Sequence, residues 1–157
     1  MKAGARTSEA GPFAWRYYRA LGYATDYVWA HHDEVPFVRL GKPLSAACIA
    51  LVTTASPAGF SGTKRVWSGA VSPPPAALHT ASVAWDKEST HTDDRESFLP
   101  IESASTLAAE GLFGSVAPRF HGVPTDYSQR KTVEQDAPQV LARLRDDGAD
   151  AAILCPL

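Results

Sequence analysis

A continuous apolar run, Cys48–Ala55, constrains the fold of this chain more than any other feature. It reads CIALVTTA, is rich in β-branched side chains, and lies between Pro43 and Pro57. Strands that are exposed on one face alternate apolar and polar residues, whereas strands that are covered on both faces read as continuous apolar runs. The run therefore predicts a central strand of a parallel sheet that is covered on both faces.

The rest of the chain supplies the helices and further strands that such a sheet needs. Helical patterns cover residues 100–110 and 132–147, and they stop at Gly111 and Gly148. Further strands are expected at Gly114–Ala117, at Ala149–Cys155, which should be buried, and with weaker signals at residues 64–67 and Thr80–Trp85. Strands that alternate with helices indicate βαβ units. The predicted class is α/β, an open, mostly parallel sheet with flanking helices in a Rossmann-like three-layer arrangement.

The second helical pattern also predicts which residues face the sheet. Its apolar residues Val140, Leu141 and Leu144 are spaced to share one face. The charged residues between and after them, including Arg143 and Asp147, are expected to face water.

Two parts of the chain differ in composition. Residues 12–30 are dense in Phe, Trp and Tyr, and we interpret residues 1–34 as an aromatic-rich extension before an α/β domain at residues 35–157. An aromatic surface of this kind packs either on the sheet of its own chain or on a partner subunit. A homo-oligomer is therefore expected.

Charge and hydropathy exclude several classes of protein. The net charge is −2 and the chain has no basic run, which argues against a nucleic-acid binder. No apolar run approaches the about 20 residues of a membrane span, and the first residues lack the apolar core of a secretory signal. Cys48 and Cys155 lie far apart in predicted strands, so free thiols in a cytoplasmic protein are expected rather than a disulfide.

The segment at residues 118–127 is predicted to be a stiff polar loop at the carboxyl edge of the sheet. Prolines and a glycine restrict it, and it follows a predicted strand, where α/β sheets place ligand sites. We interpret His121 and Asp126 as candidate catalytic residues, and Thr53, Thr54, Arg119 and Tyr127 as candidate substrate-binding residues. Arg119 could hold a carboxylate and His121 could donate a proton. A solvated surface connection fits the same residues.

A third group offers a weaker alternative. His91, Asp93 and Asp94 could form a metal-dependent site with His121. A charged surface loop is the favoured interpretation of the residues around His91.

Three stretches resemble one known family. They are Arg39–Ser45 with Ala50–Ala55, then Phe98–Ile101 with Leu107–Gly111 and Gly114–Gly122, and finally Asp136–Pro138 through Asp147–Ala151. They resemble the selenoprotein B subunits of glycine, sarcosine and betaine reductases and the related D-proline reductase subunit. The resemblance spans roughly residues 35–157, and its second stretch is the most specific.

The resemblance implies a cytoplasmic oxidoreductase that uses a selenol or thiol to reduce a small amino acid or amine-like substrate, together with companion reductase subunits. In that family a selenocysteine or cysteine, a proline and a second cysteine follow this point of the chain. Cys155 lies too early to match the family's nucleophile, so no redox pair or other cofactor is expected in this chain. The chain is expected to be truncated at an in-frame UGA, or else to be a naturally short or separately encoded form. The alternative is a non-catalytic α/β binding or assembly subunit that lacks the redox loop.

Overall fold

The chain divides into two units, Met1–Phe37 and Val38–Leu157. The computed structural model describes residues 20–22, 33–35, 38–59, 64–83, 86, 88–125 and 128–157. The aromatic-rich segment at residues 12–30 lies almost entirely outside the described residues. The sheet and its helices belong to the second unit.

The predicted central strand lies in the middle of a five-stranded sheet. β1 (Cys48–Thr53) pairs in parallel with β5 (Ala151–Cys155) on one side, and with β3 (Ser115–Val116) and then β4 (Arg119–Gly122) on the other. β2 (Trp67–Ala70) runs antiparallel to β4. Every residue of β1 after the first is buried, as its continuous apolar sequence predicts. The α/β class with an open, mostly parallel sheet is therefore confirmed.

Helices cover both faces of this sheet. α1 (Ile101–Ala109) packs on one face through a core that includes Leu51 and Phe120. A short helix, α2 (Gln129–Lys131), and a π-helical turn, Thr132–Asp136, lead into α3 (Ala137–Asp146), which covers the other face. No helix in the described part of the chain is long and apolar enough to cross a membrane.

The contacts of α3 fix its direction along the sheet. Its buried residue Val140 packs against Val52 and Val66, toward the carboxyl end of β1. Asp147, directly after its last residue, contacts Arg119 at the start of β4. The amino end of α3 therefore lies toward the edge of the sheet where the parallel strands end.

The polar loop predicted at residues 118–127 is wrong in its first half. Arg119–Gly122 forms β4, and its last three residues are buried. Pro118, which has no N–H to donate to a ladder, falls where the register along β1 jumps from Ile49↔Val116 to Val52↔His121. The strand resumes after this break, and the two prolines and the glycine of the segment had favoured a loop.

Three other strand predictions also need correction. β2 begins at Trp67 instead of ending there, because residues 67–70 are the ones that pair with β4. Thr80–Val83 forms a turn closed by the Val83 amide on the Thr80 carbonyl, while residues 84 and 85 lie outside the described residues. β5 was expected to be buried, but its three central residues are exposed, and no other strand of the described residues pairs with its outer edge.

A pair of aromatic rings lies close against the backbone on the α1 face. Trp67 and Phe120 meet edge to face, with ring centroids 5.3 Å apart and planes at 87°. The indole Nε1 donates to the Ala55 carbonyl at 3.2 Å. A side-chain carbon at Gly122 would lie only 1.8 Å from that nitrogen. Only a glycine at this position lets the indole lie in its observed place.

Candidate functional site

The carboxyl ends of β1 and β5 meet at one edge of the sheet, the edge where open α/β sheets bind ligands. Thr53 pairs with Cys155 across these strands. The backbone amide of Leu157 donates to the Thr54 hydroxyl at 2.9 Å. Thr53 is buried and its hydroxyl accepts from the Ala55 amide at 3.2 Å. Thr54 and Cys155 are both half-buried at this edge.

Cys155 is a free, half-buried cysteine. Burial raises the pKa of its thiol above the ordinary value, so the sulfur is protonated at neutral pH. The other free cysteine, Cys48, lies at the opposite, amino end of β1. Its protonated state therefore makes Cys155 a poor nucleophile at neutral pH.

His121 lies on β4 beneath α3 and is completely buried. Its Nδ1 is 2.9 Å from the Ser68 hydroxyl oxygen, to which Arg143 Nη1 donates at 2.7 Å. Its Nε2 is 3.2 Å from Asp147 Oδ2, but without the geometry of a hydrogen bond. Burial lowers the pKa of His121, and the nearby Arg119 and Arg143 add to this, against the opposing charge of Asp147. The ring is therefore neutral at pH 7.

Arg119 is held by the same carboxylate. Its Nε donates to Asp147 Oδ1 at 2.8 Å, and its Nη2 lies 2.7 Å from the same oxygen. This hydrogen bond raises the pKa of Arg119 further above its ordinary value. Arg119 starts β4, at the end of the sheet away from Thr54.

The order Ser68, His121, Asp147 matches the order of side chains in a Ser-His-Asp triad. A hydrolase of that type leaves its serine oxygen open to a substrate carbonyl. Here Arg143 of α3 occupies that oxygen, and His121 has no exposed surface. The network joins α3 to β2 and β4, and it does not present a nucleophile.

The expectation that Arg143 and Asp147 face water is wrong. Arg143 is half-buried against Ser68, and the side chain of Asp147 is only 5% exposed. Arg143 lies three positions and Asp147 seven positions after the buried Val140, so helical spacing puts both on the inward face with it. This spacing could have predicted from the sequence that both residues face inward. No sequence feature predicts that Ser68 contacts His121 and Arg143.

The structure does not assemble the other predicted groups. His91 Nδ1 lies 3.7 Å from Asp93 Oδ2, and both side chains are largely exposed. Asp94 caps a short 3-10 turn by accepting from the Glu96 amide. Among the described residues, no three His, Cys, Asp or Glu side chains lie close enough to hold a metal ion, so these residues and His121 do not form one site. Asp126 and Tyr127 lie outside the described residues.

Comparison of the chain with protein-family models, curated proteins and solved structures finds no match.

Proposed function

We propose that this chain is the substrate-binding part of a selenol- or thiol-dependent reductase that acts on a small amino acid or amine-like substrate. One observation carries the proposal. Cys155 pairs with Thr53 at the carboxyl edge of the sheet, and the Leu157 amide donates to the hydroxyl of Thr54, the next residue along β1. In the reductase B subunits that residues 35–157 resemble, the redox pair follows this point of the chain. Such a pair would then start beside Thr54.

The proposal divides binding from electron transfer. The hydroxyl of Thr54 and the backbone at the strand ends would hold the substrate, since a ligand at this edge meets them first. Cys155 would contact the substrate as a protonated thiol and would not attack it. The selenol or thiolate would come from residues or a companion subunit outside this chain. A cytoplasmic location suits two free cysteines.

Alkylation of the two cysteines tests the proposal within one sample. Iodoacetamide labelling is followed by peptide mass spectrometry, in the presence of glycine, sarcosine, betaine or D-proline at millimolar concentration. At least one of these compounds should slow labelling of Cys155 several-fold. Cys48, at the far end of the same sheet, should react at an unchanged rate. If no compound protects Cys155, or if both cysteines are protected equally, the proposal fails.

A second candidate, an assembly subunit, is favoured by β5. Its Ile153 and Leu154 are 47% and 71% exposed, and within the described residues no strand pairs with its outer edge. Exposed apolar edge strands are sites of pairing with another chain. Under this proposal a second copy or a companion subunit covers β5. Leu154→Lys should then lower the mass measured by sedimentation, whereas Leu112→Lys, at another exposed leucine, should not; an unchanged mass for both variants would rule it out.

A further inference from the structure

An open apolar cavity lies between β2 and the segments that follow β1 and β2. It is lined by the fully buried Phe120, by the half-buried Trp67 and by Pro57, Pro73 and Leu78, among others. Its volume is about 200 Å³. An engineered protein cavity of about 150 Å³ with apolar walls binds benzene. The cavity therefore has room for one six-membered ring with a small substituent.

The walls of this cavity offer a ligand almost no polar group. None of the described residues that line it has a charged side chain, and its prolines carry no N–H. The indole nitrogen Nε1 of Trp67 already donates to the Ala55 carbonyl at 3.2 Å. A charged group that entered the cavity would lose its hydration and gain no partner. The walls therefore select an uncharged, apolar group.

The aromatic pair in the wall favours a flat ring over a branched aliphatic group. Trp67 and Phe120 meet edge to face, with their planes at 87°. Aromatic rings attract one another in edge-to-face and offset-stacked arrangements beyond what apolar burial alone provides. A third ring in the cavity would extend this pair in one of these two arrangements.

One end of the cavity lies at the carboxyl edge of the sheet. Trp67 pairs with Gly122, and Gly122 pairs with Thr53, the last residue of β1. The indole is bonded to Ala55, and Pro57 follows two residues later in the cavity wall. Open α/β sheets bind their ligands outside the carboxyl ends of the strands. This position supports a ligand site independently of the chemistry of the walls.

We propose that this cavity binds the uncharged aromatic ring of a small molecule. The site is separate from the strand-end groups of the proposed function, because neither Thr54 nor Cys155 lines it. The inference therefore goes beyond the proposed function and does not depend on it.

The probes meta-fluorotoluene and N-methyl-meta-fluoropyridinium have the same shape, and only the second carries a charge. Binding of each to the full chain is measured by fluorine NMR titration. The uncharged probe should bind with a millimolar dissociation constant, because the burial of one small ring supplies all of the affinity. The charged probe should bind at least about 10-fold more weakly.

Two neighbouring alanines provide a matched pair of variants. Ala77 lines the cavity, whereas Ala76 is exposed and does not line it. Ala77→Phe should weaken binding of meta-fluorotoluene by about 10-fold or more, because the larger side chain takes up space in the cavity. Ala76→Phe should change it by less than about 2-fold. Thermal unfolding of both variants shows whether each is folded.

The indole N–H proton of Trp67 gives a readout on the wild-type chain, without any variant. An aromatic ring bound against the indole changes the magnetic field at this proton, so its assigned resonance should shift during the titration with meta-fluorotoluene.

Absence of binding to the wild type, or an unmoved Trp67 resonance, would overturn the proposal. Equal binding of the two probes would overturn the uncharged class of ligand. Equal weakening by the two folded phenylalanine variants would place the ring elsewhere and overturn the site. Protection of Cys155 by amine compounds has no part in these measurements, so failure here and failure of the proposed function are distinguishable.

Discussion

Gly122→Ala should be the most damaging single-methyl change in the sheet. The added carbon would lie 1.8 Å from Trp67 Nε1 and 2.2 Å from Cε2, far inside contact distance. The backbone of Gly122 does not have a positive φ, so alanine itself fits the local conformation. The whole cost therefore comes from moving the indole off the strand.

The size of that cost follows from what the indole loses. Its hydrogen bond to the Ala55 carbonyl contributes about 1 kcal/mol. Its edge-to-face contact with Phe120 contributes about 1 kcal/mol more. Forcing the displaced ring into neighbouring atoms adds about 1–3 kcal/mol. We expect the free energy of unfolding to fall by about 3–5 kcal/mol, a large part of a typical domain's stability.

Urea unfolding followed by circular dichroism measures this loss. Gly41→Ala is the matched control, because a carbon added there meets no atom within 4 Å and no positive φ is involved. The control should change the free energy of unfolding by less than about 0.5 kcal/mol. A loss below about 1 kcal/mol for Gly122→Ala would refute the view that the indole is fixed against this strand.

Three further changes test the network under α3 and the edge thiol. Asp147→Asn should lower the free energy of unfolding by about 2–3 kcal/mol, because it leaves Arg119 without its carboxylate. The control Asp146→Asn, at the neighbouring position, should lower it by less than about 0.5 kcal/mol. Equal losses for the two variants in urea unfolding would contradict this prediction. The lowered pKa of His121 means that its contribution is complete above its ordinary pKa near 6.5 and is lost as the pH falls below that value. Unfolding free energies between pH 7 and pH 5 should therefore fall more steeply for the wild type than for His121→Asn, and parallel curves would refute the assignment. The raised pKa of Cys155 predicts that its alkylation rate, followed by mass spectrometry, reaches half-maximum at a higher pH than that of a free cysteine; a normal profile would argue against its burial.

The scaffold could be predicted from short-range patterns. The continuous apolarity of Cys48–Ala55 correctly indicated a strand covered on both faces. The glycines at 111 and 148 correctly marked the helix ends, where both adopt positive φ. These features depend on the chain near each residue, which the sequence displays directly.

The polar network could not be predicted in the same way. His121 was assigned to a loop because two prolines and a glycine restrict the segment around it, and its partners come from residues far along the chain. Arg119 was expected to meet a ligand, but a carboxylate from α3 neutralises it. Whether such residues can meet a ligand depends on charged partners far along the chain. No local sequence pattern predicts those partners.

The exposed strand β5 has a consequence for how the protein behaves in concentrated solution. Residues 151–155 are uncharged and largely apolar, and an exposed apolar edge strand is a site where chains can aggregate. Asp150 precedes this stretch and Pro156 follows it, and residues of these two kinds act as gatekeepers at the ends of such segments. Asp150 also accepts hydrogen bonds from Lys42 and from the Cys48 amide. The same carboxylate therefore stabilises the start of β1 and places a charge next to the exposed strand β5.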